Sequence, residues 1–288
     1  MKKQTSHSSL AYTDKQSKVF FAGGNFNWEK SADEIWQNIE ASIADSPRRT
    51  LRSLHAFALS AAAISVLLIG LSIFFYTHTQ IITVPAGQHA SASLPDGSTV
   101  QLNAQSEIRF KPYWWNIKRE AFFEGEALFE VEKGQTFTVK STGGATEVVG
   151  TSFNIYARPN SYRVTCLTGM VKVLSPSNQE VFLPPNSRAT ILPNGHIETE
   201  ENIDTLPEIS WKNNYFRFTA TPLIEVLNEI ERQYNVHIEL DAVIAANYTG
   251  NFSRQHNVEE VLELICPALG LNFTQTASDT YRITPDNE

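Results

Sequence analysis

The spacing of apolar and polar residues changes three times along the chain. In NWEKSADEIWQNIEASIADSPRR, Ala32, Ile35, Trp36, Ile39 and Ile43 recur at i, i+3, i+4, i+7 and i+11, a single stripe on a helix. Ser31 and Glu34 have the spacing of a capping box and Pro47 closes the segment, so a helix is expected over about residues 31–46. From Ala56 to Tyr76 apolar residues fall on every side, without one Asp, Glu, Lys, Arg or His. These ~21 residues match the ~20 that a helix needs to cross the hydrocarbon core of a bilayer. From Ile81 to Ile197 the period becomes two: EALFEVE, TFTVK, SFNIYA, YRVTCL, MVKVL and EVFL alternate as strands. Asp-Gly in LPDGSTVQL and Asn-Gly in LPNGHIE mark hairpins.

Acidic ETEENIDTLPEIS, within a linker at 198–211, leads to a region where both periods occur. YFRFTA reads as a strand. Thr221 as N-cap and Pro222 in the first turn then open a helix with Leu223, Val226, Leu227, Ile230 and Tyr234 on one face. VHIEL and YTGNFS are strands. Asn257 with Glu260 starts a second helix that buries Val258, Val261, Leu262, Ile265 and Leu269 and ends at Gly270, its last turn frayed by Pro267. LNFTQTA and TYRIT complete the order β-α-β-β-α-β-β.

The expected fold class is a single-pass membrane protein in four parts. A short helical stub (1–55) precedes the span (56–76). An all-β domain (81–197) of about a dozen strands follows, a sandwich or a solenoid-like stack. A small α+β domain (212–286) ends the chain. A signal peptide would begin near residue 1 and end in a small-residue cleavage site, whereas the stub precedes this run. A soluble core helix would keep a polar face. Arg48, Arg49 and Arg52 stand before the run and the next basic residue is Arg109, so the stub is expected in the cytoplasm and the bulk exported. Residues 1–55 hold 8 basic and 6 acidic side chains and the remainder 15 and 25, which gives no footing for nucleic acid or anionic lipid on the exported side.

Enzyme signatures are scarce. The chain has no G-x-S-x-G, H-E-x-x-H or Walker loop, and its exported histidines are scattered, so neither metal nor cofactor is implied. Cys166 and Cys266 read as buried apolar thiols, with a bridge as the alternative in an oxidising compartment. Glu126, Glu130 and Glu132 share strand parity and read as an exposed face rather than a catalytic pair. In VVGTSFNIYA the Thr151 hydroxyl could attack a strained Gly150 carbonyl; the simpler reading is a hairpin glycine before a strand threonine. The stub helix has no local core for its stripe. It fits a partner's groove, or lies on lipid, although its polar face carries Asp33, Glu34, Glu40 and Asp45 instead of lysines.

In order, the span, LPDGSTVQLNAQSEIRF, FFEGEALFEV, VVGTSFNIYA and VKVLSP resemble the FecR-type transmembrane regulators of extracytoplasmic-function sigma factors. WKNNYFRFTATPLIEVLNEIERQYNV and YTGNFSRQHNVEEVLELICPALGLNF resemble their C-terminal module, itself similar to the secretin/TonB short N-terminal fold. Two positions depart from the usual pattern: Thr168 replaces an acidic residue, and Asn186 stands where glycine is usual. The resemblance implies an inner-membrane anti-sigma protein with a periplasmic bulk. It would relay a signal from the signalling domain of an outer-membrane TonB-dependent receptor to a cytoplasmic sigma factor, with envelope proteases as partners. It assigns sigma contacts to Trp28, Ile35, Trp36, Ile39 and Ile43, and self-cleavage to Gly150-Thr151. A membrane-anchored glycan-binding or envelope-assembly module, motivated by Tyr113, Trp114 and Trp115, is the competing expectation.

Overall fold

The structure, a computed structural model, describes residues 30–44, 51–241 and 244–286. The chain divides into two units, Met1–Val66 and Leu67–Glu288. Helix α1 (Ala32–Ala44) begins where the capping spacing places it: Ser31 Oγ accepts the Glu34 amide at 3.3 Å. None of its residues is buried. Helix α2 (Leu51–Thr77) contains one stretch, Phe57–Thr77, of 21 residues that is long and apolar enough to cross a membrane, and none of the residues of that stretch is buried.

The β region begins with β1 (Gln80–Val84), β2 (Ala90–Ser93), β3 (Thr99–Leu102) and β4 (Ser106–Phe110). A 3-10 turn at Pro112–Trp114 leads into the 12-residue β5 (Arg119–Glu130). Then come β6 (Phe137–Ser141), β7 (Gly144–Val148), β8 (Ser152–Arg158) and β9 (Ser161–Thr168). The region closes with β10 (Val171–Leu174), β11 (Glu180–Leu183), β12 (Ser187–Ile191) and β13 (Ile197–Glu201).

Strand β5 organises all of them. Its first half pairs with β4 and, in parallel, with β6; its second half pairs with β3 and β8. Two half-sheets therefore share one strand, and a single core draws on both. The result is a near-barrel sheet of 13 strands, closer to the expected sandwich than to a stack of repeats. The strand changes sheets at Gly125, whose φ of 115° suits glycine alone. Phe129 and Phe153 stack at 5.2 Å in the core, with Phe123, Phe137 and Trp115 around them; each such ring contributes about 2–3 kcal/mol by burial. Asn186 takes φ 59°, the left-handed conformation that the family's glycine would supply and that asparagine tolerates.

A one-turn helix α3 (Leu206–Ile209) precedes the α+β module. The module runs β14 (Tyr215–Pro222), α4 (Leu223–Tyr234), β15 (His237–Leu240), β16 (Asn247–Ser253), α5 (Val258–Ile265), β17 (Leu271–Ala277) and β18 (Thr280–Pro285). Its strands form two sheets, β14-β16 and β15-β18-β17, and the apolar faces of α4 and α5 lie in one core. Asn257 caps α5 through the Glu260 amide at 2.8 Å, as its spacing predicts. The start of α4 differs from expectation. Strand β14 continues through Pro222, which holds the cap position itself, and the Leu223 amide donates to the Ala246 carbonyl at 2.8 Å. A neighbouring strand end thus satisfies the donor that Thr221 was expected to cap. Helix α5 also stops early, at Ile265. Pro267 starts a 3-10 turn, and Gly270 at φ 64° ends it. Cys166 and Cys266 are both free and buried, one in each core.

Candidate functional site

The polar joint between the β region and the α+β module is the most elaborated site. Glu126 has the parity expected of an exposed face, yet it is only 7% exposed because α4 covers it. Its carboxylate accepts from Asn103 Nδ2 at 2.8 Å and Asn154 Nδ2 at 3.1 Å. Gln233 Nε2, from α4, donates to Asn103 Oδ1 and Glu229 Oε1, both at 2.7 Å. Arg232 Nη2 donates to Glu229 Oε2 at 2.6 Å, and the Arg232 carbonyl accepts the Gly87 amide at 2.8 Å. His89 Nε2 lies 3.0 Å from Gln233 Oε1. Leu128, two residues along the same face of β5, packs into the module's core. It is the sequence signal that was missed: an apolar residue among Glu126, Glu130 and Glu132 means that part of the polar face is covered. Glu229 and Gln233 likewise form a second buried face of α4, beside the apolar stripe.

Burial lifts the Glu126 carboxyl from 4.5 to about 7, and the Glu229 charge adds to it, while Arg158 and the two asparagine amides pull the other way. Burial also pushes Glu229 upward, but the Arg232 and Arg158 guanidiniums and its hydrogen bonds hold it below the usual value. A raised carboxylate pKa favours the protonated fold. This contribution is complete below the unfolded value of 4.5 and is lost as pH rises through about 7, at 1.36 kcal/mol per pKa unit roughly 3 kcal/mol in all. Glu126→Gln should therefore unfold in urea at higher concentration than the wild type near pH 8 and match it near pH 4. An equal difference at both would show that Glu126 does not titrate in the joint.

Beside the joint lies a cavity of about 690 Å³ whose walls include Tyr156, Arg163, Arg188, Trp211, Glu225 and residues 216–222 of β14. Arg163 stacks on the Tyr156 ring at 4.3 Å and reaches Glu225 at 3.4 Å. Strand β14 pairs only with β16, so among the described residues its other edge is unpaired, and it borders this cavity. An open edge with a charged wall can accept an added strand.

The residues expected to bind sigma factor lie in the other unit. Ile35 is half-buried, Trp36 and Ile43 are each 68% exposed and Ile39 is 40% exposed on α1, whereas Trp28 falls outside the described residues. Gly150 and Thr151 link β7 to β8. Gly150 has φ 159°, and a Cβ there would stand 2.6 Å from Lys133 Cγ and 2.9 Å from Lys133 Cα, so the position suits glycine alone. Thr151 is buried and its Oγ1 has no hydrogen-bond partner. The Val149 and Thr151 carbonyls accept from Gly134 and Val131 at 3.0 and 2.9 Å, which clamps the chain on both sides of Gly150. Trp115 is buried in the β core while Tyr113 is exposed, so the three adjacent aromatics form no common platform for a sugar. Among the described residues no three His, Cys, Asp or Glu side chains gather as metal ligands.

An apolar helix long enough to cross a membrane, a near-barrel sheet and an α+β module are the parts expected of a FecR-type protein. The family described as "FecR protein" matches residues 80–172 and "FecR, C-terminal" matches residues 215–283. Together they take in more than half of the chain, which belongs to the FecR family. Two crystal structures, at 2.50 and 1.65 Å, of a protein from Parabacteroides distasonis ATCC 8503 provisionally assigned as an anti-sigma factor are similar to it. Both are 28% identical and cover 72% of this chain and 99% of theirs, with TM-scores of 0.67 and 0.66. No curated protein matches the chain.

Proposed function

We propose that this protein is a single-pass inner-membrane regulator whose cytoplasmic stub binds an extracytoplasmic-function sigma factor through α1. Family membership, with its likeness to an anti-sigma factor, supports the sigma-factor role. The observation that carries the assignment to α1 is a capped amphipathic helix presenting Trp36 and Ile39 to solvent. The signal enters at the other end. The signalling domain of an outer-membrane TonB-dependent receptor adds a strand to the open edge of β14 and contacts the arginine-lined cavity beside it. A change at that joint exposes the regulator to envelope proteases, and cutting releases the stub with its sigma factor. Residues 1–55 should co-purify with one extracytoplasmic-function sigma factor of the host, and deleting the protein should change transcription from that factor's promoters. No binding together with unchanged transcription would refute the assignment.

Cleavage at Gly150-Thr151 is a step within the same reading, favoured by the unpartnered Thr151 hydroxyl. Thr151 Oγ1 attacks the Gly150 carbonyl carbon, the C–N bond breaks, and the hydroxyl proton passes to the freed Thr151 amine. Water then opens the ester to a Gly150 carboxylate and the restored hydroxyl. Purified protein should yield a fragment beginning at Thr151 by mass spectrometry, and Thr151→Ala should stay whole. An intact wild-type chain after long incubation would exclude the step.

A further inference from the structure

The loop between β4 and β5 touches the end of the apolar helix with more aromatic surface than its own fold requires. The Phe75 ring packs edge-on against Tyr113 at 4.7 Å, and Tyr76 packs edge-on against Trp114 at 5.3 Å. His78 lies 5.4 Å from Tyr113, and Lys111 Nζ sits 4.7 Å above the Tyr76 ring. Tyr113 remains 55% exposed and Ile117, four residues on, 69% exposed. Soluble proteins expose such side chains singly; here they stand together around the point where the chain leaves α2.

Depth follows from length. At 1.5 Å per residue, the 21 residues of Phe57–Thr77 span about 31 Å, against a hydrocarbon core of ~30 Å. The last turn of α2 therefore lies at the boundary of the hydrocarbon. Rings in contact with Phe75 and Tyr76 lie at that depth too, the level at which Trp and Tyr are enriched. A lysine stacked over Tyr76 places its ammonium among headgroup phosphates while its stem stays on apolar surface.

We propose that residues 111–118 form a membrane-interface anchor, which holds the β region down on the glycerophospholipid surface of the bilayer that α2 crosses. The inference rests on the single-span reading. It adds that the exported part is docked on lipid rather than swinging on a flexible neck, so a force or rearrangement at the β14 joint is delivered against a fixed base.

The test uses the full-length chain in phosphatidylcholine nanodiscs carrying nitroxide-labelled phosphatidylcholine, with the nitroxide near the headgroup or near the chain end. A fluorophore is attached to Leu67→Cys, Ile117→Cys or Phe182→Cys; the native Cys166 and Cys266 are buried and do not compete. Phe182 lies on β11, six strands from β1 across the half-sheet, and serves as the distant reference. Position 117 should be quenched most by the shallow nitroxide, at a depth of about 15 Å from the bilayer centre. Position 67 should be quenched most by the deep one, and position 182 by neither. Quenching at 67 with none at 117 overturns the anchor and leaves the span intact. No quenching at 67 overturns the span and the anchor with it.

Discussion

Replacing Trp36 and Ile39 by alanine in the full-length protein is expected to abolish sigma-factor binding. Alanine is the strongest helix former, so α1 should persist and the loss would be one of contact. Trp36 is the largest side chain that the helix offers, and an interface tryptophan that fills a groove contributes at least about 2 kcal/mol, roughly 30-fold in Kd. The double variant should fall below detection, because a 13-residue helix is marginal alone in water and, in the proposed complex, gains its order from its partner's groove. Gln37→Ala, on the opposite face, should bind as the wild type does. Titration of each host extracytoplasmic-function sigma factor against the purified variants reads both outcomes. Undiminished binding of the double variant would move the contact away from α1.

Gly125→Ala is expected to unfold the β region. Two effects combine at this position. A φ of 115° is unavailable to alanine without strain, and a Cβ there would stand 2.6 Å from both Cα and Cβ of Ser106. Ser106 cannot move aside, because its hydroxyl donates to the Glu126 carbonyl and accepts the Glu126 amide, both at 3.0 Å. Relief must come from displacing β4 from β5 at the point where β5 passes between the half-sheets. The cost is about 3 kcal/mol or more, a large share of the stability of a domain of this size. Thermal unfolding in detergent should show the β transition lowered or lost. A shift within about 0.5 kcal/mol, the usual size for an unremarkable surface change, would contradict this account of the bend.

Alternation and turn chemistry made most of the strands legible, and the caps at Ser31 and Asn257 are where their spacing places them. The order of the last module was equally readable. What escaped was everything set by one element covering another. Glu126 lies on the polar side of β5, and no local pattern states that α4 will cover that side; Leu128 alone hints at it. Glu229 and Gln233 look like the solvent face of α4 until the β region supplies their partners. The Thr221-Pro222 boundary was displaced by one residue because the Ala246 carbonyl, remote in sequence, took the place of a local cap. The contacts expected of α1 stand on its apolar stripe alone, since the groove proposed for it belongs to another protein.

The account depends first on which side of the membrane each end occupies. The most direct measurement is a reporter enzyme that works only after export, fused to the chain after residue 50 or after residue 90. The account predicts no activity from the first fusion and full activity from the second. An active fusion at residue 50, or a silent one at residue 90, would place α1 and the receptor-facing module on the wrong sides and contradict it.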